Sequence, residues 1–227
     1  MKTTARPVFS IRKAHAAQLH LSKKIIQEDR LPEKLRFIAG VDVAYLSDLS
    51  IGAVVVLDYD SLEPVETQTA VCQTRFPYVP TLLSFREIPP ATASIKKLHM
   101  QPDVFLVDGQ GLAHPYRCGF ASHLGIVLGK PTIGVAKSRL FGKVQTDARD
   151  GVAFLKHGSE IVGAEVTTKQ SAKPVYVSVG HMVSLETGVK VVKSCMLDNR
   201  LPEPLLKAHE TATAEKRKLL IQLARNE

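Results

Sequence analysis

The chain has 227 residues, 44% hydrophobic and 23% charged, the balance of an ordinary soluble globular protein with room for one domain, 1–227, and a substantial core. No apolar run approaches a membrane span, and the leading MKTTARPVFSIRKAHAAQLH lacks the uninterrupted apolar core of a signal peptide, which reads as cytoplasmic. Thirty Lys and Arg against 22 Asp and Glu give a formal charge of +8, a balance that favours a polyanionic partner because neutralised phosphates release counterions.

In chain order, residues 10–28 suit an amphipathic helix, with Ile11, Ala14, Leu19 and Ile25 interleaved among Lys, His and Gln. RFIAGVDVAY (36–45) is a near-continuous apolar strand, GAVVVLDYD (52–60) a second and VETQTAVCQTRF (65–76) an alternating third. Their short links predict an antiparallel meander. Pro77 and Pro80 then hold Tyr78 and Val79 extended, since each proline fixes its own φ and biases the residue before it. A helix follows from about Thr81, interrupted at Pro89-Pro90 and resuming toward Leu98.

DVFLVDG (103–109) is a buried strand, a helix spans about 116–129, and PTIGVA (131–136) is another buried strand of the kind that βαβ units place in a parallel sheet. Residues 138–172 are Gly-rich and irregular, a set of surface hairpins. KPVYVSVG (173–180) is a late strand, and 184–195 and 202–226 are helical, with EKRKLL (215–220) read as one solvated helix face. Cys72, Cys118 and Cys195 form neither a metal-ligand spacing nor a disulfide framework. The expected fold class is α/β: a mixed sheet, three antiparallel strands and then parallel ones, flanked by helices.

Two aspartates stand in unusual company. Asp42 lies inside an apolar strand, where an ionised carboxylate is costly unless paired or bound to a cation. Capping a neighbouring Arg or loop is the alternative. Asp108 ends VFLVD before two nearby glycines, at the strand end where open α/β sheets bind ligands, although Asp-Gly is also a common turn. If their strands are neighbours, both carboxylates fall on one sheet edge, with Glu87 coming in from the helix above. Three carboxylates without Cys or His at ligand spacing favour Mg²⁺ or Mn²⁺ over Zn²⁺, and beside a basic surface they point to phosphodiester cleavage. His114, six residues after Asp108, is placed to position a water or phosphate oxygen; Lys137, closing a strand at the same edge, is placed to stabilise phosphate charge.

The blocks GVDVAY, FPYVPTLLSFRE, PDVFLVDGQGLAHP, KPTIGVAKSRL, KPVYVSVGH and RLPEP resemble, in order, those of the endonuclease V family, over about residues 10–215. The resemblance implies a ribonuclease H-like fold and Mg²⁺-dependent cleavage (Mn²⁺ substituting) of DNA containing deoxyinosine. The implied cut is the second phosphodiester bond 3′ to the lesion, leaving a 3′-hydroxyl and a 5′-phosphate. Other deaminated bases are further candidate substrates, and a monomer without membrane association is expected. The implied metal positions are Asp42, Glu87 and Asp108, supported by His114 and Lys137, with His209 near the site.

Pro77, Tyr78, Val79 and Pro80 resemble the family's wedge, which enters the minor groove; Tyr78 would stack where the extruded base was. Gly109 and Gly111 would let backbone approach the flipped base, with Thr81, Leu112 and Leu140 lining the pocket. The chain departs from the family pattern at Thr81, where Gly is usual, at Gln110, where His is common, and at Tyr116, where Arg is frequent; Arg117 follows as a candidate phosphate contact. Two other readings remain: an inosine-specific ribonuclease acting on single-stranded RNA, and a non-catalytic lesion-binding module.

Overall fold

A computed structural model describes residues 10–167 and 173–225. Its elements run in chain order from helix α1 (Ile11–Ser22) through the meander β1 (Phe37–Leu46), β2 (Leu49–Asp58) and β3 (Pro64–Gln73). Then come α2 (Ser84–Ile95), β4 (Val104–Asp108), α3 (Phe120–Leu128) and β5 (Thr132–Ala136). The strands β6 (Lys143–Val144), β7 (Val152–His157), β8 (Glu160–Val166) and β9 (Val175–His181) precede α4 (Leu185–Ser194) and α5 (Glu203–Ala224). Among the described residues no helix is long and apolar enough to cross a membrane.

All nine strands join one sheet in the order β3-β2-β1-β4-β5-β9-β8-β7-β6. The three short-linked strands pair antiparallel as expected, and β4 and β5 add parallel beside β1. β9 closes on β5 antiparallel, so the sheet is mixed and flanked by helices, an α/β architecture. The hairpins expected in 138–172 are not only surface features. β8 pairs with β9, and Val162, Ala164 and Val166 are buried, so this region widens the main sheet; residues 168–172 lie outside those described.

Strand alternation divides the core. Ile38, Leu57, Leu106 and Ile133 pack on the face that carries α4 and α5, while Ala39, Val41, Phe105 and Val107 pack against α2 and α3. Helix α5 lies close to β1 because residue 40 has no side chain: a Cβ there would sit 1.8 Å from the Pro204 carbonyl oxygen. Gly52 performs the same service on the opposite face, where a Cβ would meet the Pro90 carbonyl oxygen at 2.2 Å.

That second contact explains a difference from the sequence expectation. α2 runs unbroken through Pro89 and Pro90, although each proline removes one backbone donor. Pro90 and Ala91 are buried against β2, and the Thr92 hydroxyl donates to the carbonyls of Ile88 and Pro89. Packing outweighs the lost hydrogen bonds. α1 is shorter than expected, because the backbone after Ser22 pairs elsewhere. The Ile26 N–H donates to His181 Nδ1, the Ile26 carbonyl accepts from Met182 N–H, and Ile25 and Leu31 pack on the core. α3 begins at Phe120 rather than near 116, since 109–119 folds back on itself, with the N–H groups of Gly119 and Ala121 donating to the carbonyls of Gly111 and Gln110.

Candidate active site

The site begins with register. Val41 pairs with Val107 across the parallel strands β1 and β4, so the next residue of each, Asp42 and Asp108, lies side by side at the carboxyl end of β4. Both follow by alternation from residues of the α5-facing side, Ile38 and Gly40 in β1 and Val104 and Leu106 in β4. The carboxylates therefore look toward α5, and α5 answers with an imidazole. His209 Nδ1 lies 2.8 Å from Asp42 Oδ2, while the Val43 N–H donates to Asp42 Oδ1 at 2.7 Å. On the other side Lys137, just after β5, donates from Nζ to Asp108 Oδ2 at 3.0 Å.

Asp42, Asp108 and His209 each place a ligand atom within 4.8 Å of the others, a grouping that could hold a metal ion. It joins two of the three expected carboxylates to His209, which the resemblance placed near the site, while Glu87 lines the cleft that meets the group at Asp108. The reason is topological. Glu87 is carried by α2 on the opposite face of the sheet and reaches the strand edge from that side. It still feels the cluster: burial, then the charges of Asp42 and Asp108, push its carboxyl up to about 8. Asp108 is also pushed up, by burial and by Asp42, with Lys137 opposing. Repelling carboxylates in a poorly solvated place, with oxygen donors and one imidazole converging, fit a divalent cation.

Two clefts meet at Asp108. One, of about 340 Å³, runs between Tyr78, Thr81, Gly109, Gln110, His114 and Leu140 and reaches Glu87 and Asp108. The other, of about 550 Å³, continues past Asp42, Lys137 and His209 to Thr213, Lys216 and Arg217 on α5. The last three were missed in the sequence, where Lys216 and Arg217 read as part of the solvated face EKRKLL. Their spacing from His209, at i+4, i+7 and i+8, was the available signal, since those positions share one helical stripe. Tyr45 was also missed. It lines the second cleft beside Arg86, and burial followed by the Glu87 charge pushes its hydroxyl up to about 12.

The Pro77–Pro80 segment stands beside the first cleft with Tyr78 70% exposed. Arg86 bridges it to the strand below, its guanidinium 4.8 Å from the Tyr45 ring centroid and 6.0 Å from that of Tyr78. Pro77, Val79 and Pro80 flank Tyr78, and the Val79 carbonyl accepts from Leu82 N–H at 3.0 Å. Pro80 then occupies the second position of a four-residue turn and Thr81 the third, at φ +70°. This is the pattern of a type II turn, whose third position favours glycine. For a β-branched residue that conformation costs about 1–3 kcal/mol, so surrounding contacts must hold it.

Other expected site residues are placed differently. Leu112 does not wall the cleft; it is buried in the core against β9, its N–H donating to the Val179 carbonyl. Gly111 also faces β9, where a Cβ would lie 2.1 Å from the Val179 oxygen, whereas Gly109 does line the cleft. Arg117 is drawn into a local network. It donates to Glu160 and to the His114 carbonyl, and its guanidinium lies over Phe141. His114 lines the cleft, but burial holds it down at about 4, so it is neutral at neutral pH; its Nδ1 accepts from Tyr116 N–H.

An open mixed sheet with one aspartate within and one at the end of its central strands, a lysine beside them and a basic helix stripe alongside defines a nuclease-type site, acting on phosphodiester bonds. The endonuclease V family model matches residues 19–210. Endonuclease V of Thermofilum pendens is 47% identical over 207 residues, covering 91% of this chain and 89% of that protein; that of a Nostoc species is 43% identical over 209 residues, covering 90% and 95%. The crystal structure of the Streptomyces avermitilis enzyme superposes with a TM-score of 0.86 at 37% identity, covering 93% and 95% of the two chains. Ciona intestinalis endonuclease V, solved in complex with a 24mer DNA containing an inosine followed by a ribo-adenosine, gives 0.82 at 33% identity, covering 92% and 98%. The chain belongs to the endonuclease V family and is a nuclease.

Proposed function

We propose that this nuclease nicks DNA at the second phosphodiester bond 3′ to a deoxyinosine, leaving a 3′-hydroxyl and a 5′-phosphate, with Mg²⁺ as its natural cation and Mn²⁺ as a substitute. The observation that carries this reading is that Asp108 borders two clefts, one beside the exposed Tyr78 and one lined by the basic stripe of α5. A strand whose damaged base enters the first cleft continues past the carboxylates into the second. The cut then falls at a fixed distance from the lesion.

Asp42 and Asp108 would hold the cation, with His209 and Glu87 at its margins, and a bound divalent ion supplies water activation and charge neutralisation at the departing oxygen. Lys137 Nζ, beside Asp108, sets a positive charge where the phosphate gains negative charge in the transition state. Tyr78 stacks in the space left by the extruded base, and the backbone near Gly109 reads the base edge. His114, neutral and hydrogen-bonded to Tyr116 N–H within its own loop and to the Thr81 backbone beyond it, holds that loop in shape.

Cut-site mapping on a duplex with one deoxyinosine, in Mg²⁺ and in EDTA, tests this. A single nick at the second bond 3′ to the lesion, absent in EDTA, is expected; a different position overturns the assignment. Matched inosine RNA run alongside separates the ribonuclease reading, which faster RNA cutting would establish. Retained lesion binding with no nicking in any metal would instead mark a binding module.

A further inference from the structure

The strained turn at Thr81 is held from outside by helix α1, beside the His114 ring, which also meets the Thr81 backbone. His15 Nε2 lies 3.1 Å from Thr81 Oγ1. One turn along α1, Gln18 donates from Nε2 to the Thr81 carbonyl at 2.7 Å and to the Cys118 carbonyl at 3.0 Å. Both partners are carbonyl oxygens, which fixes the orientation of the amide. Gln18 is fully buried, a position where an aliphatic side chain would be the ordinary choice. The His15 ring also stacks on Tyr116, centroids 4.0 Å apart and planes 15° from parallel. Thr81 adjoins the wedge, while Tyr116 and Cys118 belong to the loop that follows Asp108. Two side chains on one face of α1 therefore tie the wedge turn to the pocket loop.

We propose that His15 and Gln18 are positioning residues of a latch: by holding Thr81 in the left-handed region they set where Tyr78 stands relative to Asp108, and so how tightly lesion-containing DNA is engaged. The inference rests on the reading of Tyr78 as the DNA wedge. Without the latch, the Leu82 N–H to Val79 carbonyl bond and the His114 ring are left to oppose the steric cost of threonine at positive φ, and the turn relaxes. Glycine carries no such cost. A glycine at 81 therefore keeps the turn with or without the latch, which gives the idea its signature.

The test uses Gln18→Leu, which keeps the volume and removes both hydrogen bonds, and His15→Phe, which keeps the stack and removes the hydrogen bond. Each is made alone and with Thr81→Gly. Single-turnover nicking of a deoxyinosine duplex is followed against enzyme concentration, and amide hydrogen exchange is followed across the chain. Gln18→Leu is expected to raise the half-saturating concentration roughly five- to tenfold with little change in the saturated rate, and to speed exchange over 76–83 but not in β1 or β4. His15→Phe should act in the same direction to a smaller extent. Adding Thr81→Gly should restore most of both readouts.

Unchanged half-saturation and exchange in Gln18→Leu would overturn the latch. So would a loss confined to the saturated rate, or a failure of Thr81→Gly to rescue accompanied by faster exchange in the core strands, the mark of a space-filling residue. If Gln18→Leu does not fold, the His15→Phe pair carries the same comparison. Should the wild type leave deoxyinosine DNA uncut, the functional reading fails, while the exchange arm still decides whether α1 holds the turn.

Discussion

The two sides of Asp108 are built by different means. On the side of α5, the charged groups that line the cleft sit on regular elements: Asp42 within a strand, Asp108 at a strand end, Lys137 just beyond another, and His209, Lys216 and Arg217 on one helix. On the other side, Tyr78, Thr81, Gly109, Gln110 and His114 all lie on turns and loops, one in a disfavoured backbone conformation. Charge chemistry needs fixed distances, and strand register supplies them. Recognition of a base needs shape and stacking, which loops can present once they are clamped. The expectation is that substitutions on the first side stop chemistry, while those on the second weaken engagement and leave chemistry intact.

The largest effect should come from Asp42→Ala or Asp108→Ala. Each is expected to lower the saturated nicking rate by at least about a hundredfold while lesion DNA is still bound, checked by single-turnover cleavage alongside a gel-shift titration. Equal nicking by Asp42→Ala and wild type would remove Asp42 from the metal site. Tyr78→Ala should show the opposite split. Affinity for deoxyinosine DNA falls by about 1–3 kcal/mol, the worth of one base–aromatic stack, with the saturated rate preserved. A fallen rate with unchanged affinity would erase the division between the two sides.

A smaller effect is expected from Lys216→Ala and Arg217→Ala. Each should reduce the slope of log affinity against log salt by about one, with little change in preference for the lesion. An unaltered slope would mean the nucleic acid does not follow the α5 cleft.

The smallest effect concerns stability. Glu87 has a folded value of about 8 against an ordinary 4.5, so the protein without metal pays nothing at pH 4, where the group is protonated whether folded or not. The destabilisation grows as pH rises through that window and is complete above 8. Glu87→Gln should therefore raise the melting temperature in EDTA by several degrees at pH 8.5 and leave it nearly unchanged at pH 4. Equal shifts at both pH values would show that the carboxyl is not held protonated by its surroundings.

Much of the architecture was legible from local pattern. The meander, the two buried parallel strands and the positions of Asp42 and Asp108 followed from apolar runs interrupted by acids. The run of α2 through Pro89-Pro90 was not legible, because only Gly52, on a strand distant in sequence, makes room for that helix. Leu112 looks like a pocket residue beside two glycines, and the turn after β4 sends it into the core instead. His209 stands 167 residues from the Asp42 it touches, and no spacing rule spans that interval.

The sequence by itself determined the kind of chemistry. Acids placed in apolar strands are too costly to be idle, and period-two alternation decides which way they point. Only the tertiary structure decided the company they keep. It set an imidazole from the last helix against Asp42, brought Glu87 to the strand edge from the other face of the sheet, and bound Thr81 to His15 and Gln18 of the first. Such contacts depend on where helices land, and that is settled by packing against a few glycines and a shared core rather than by local preference.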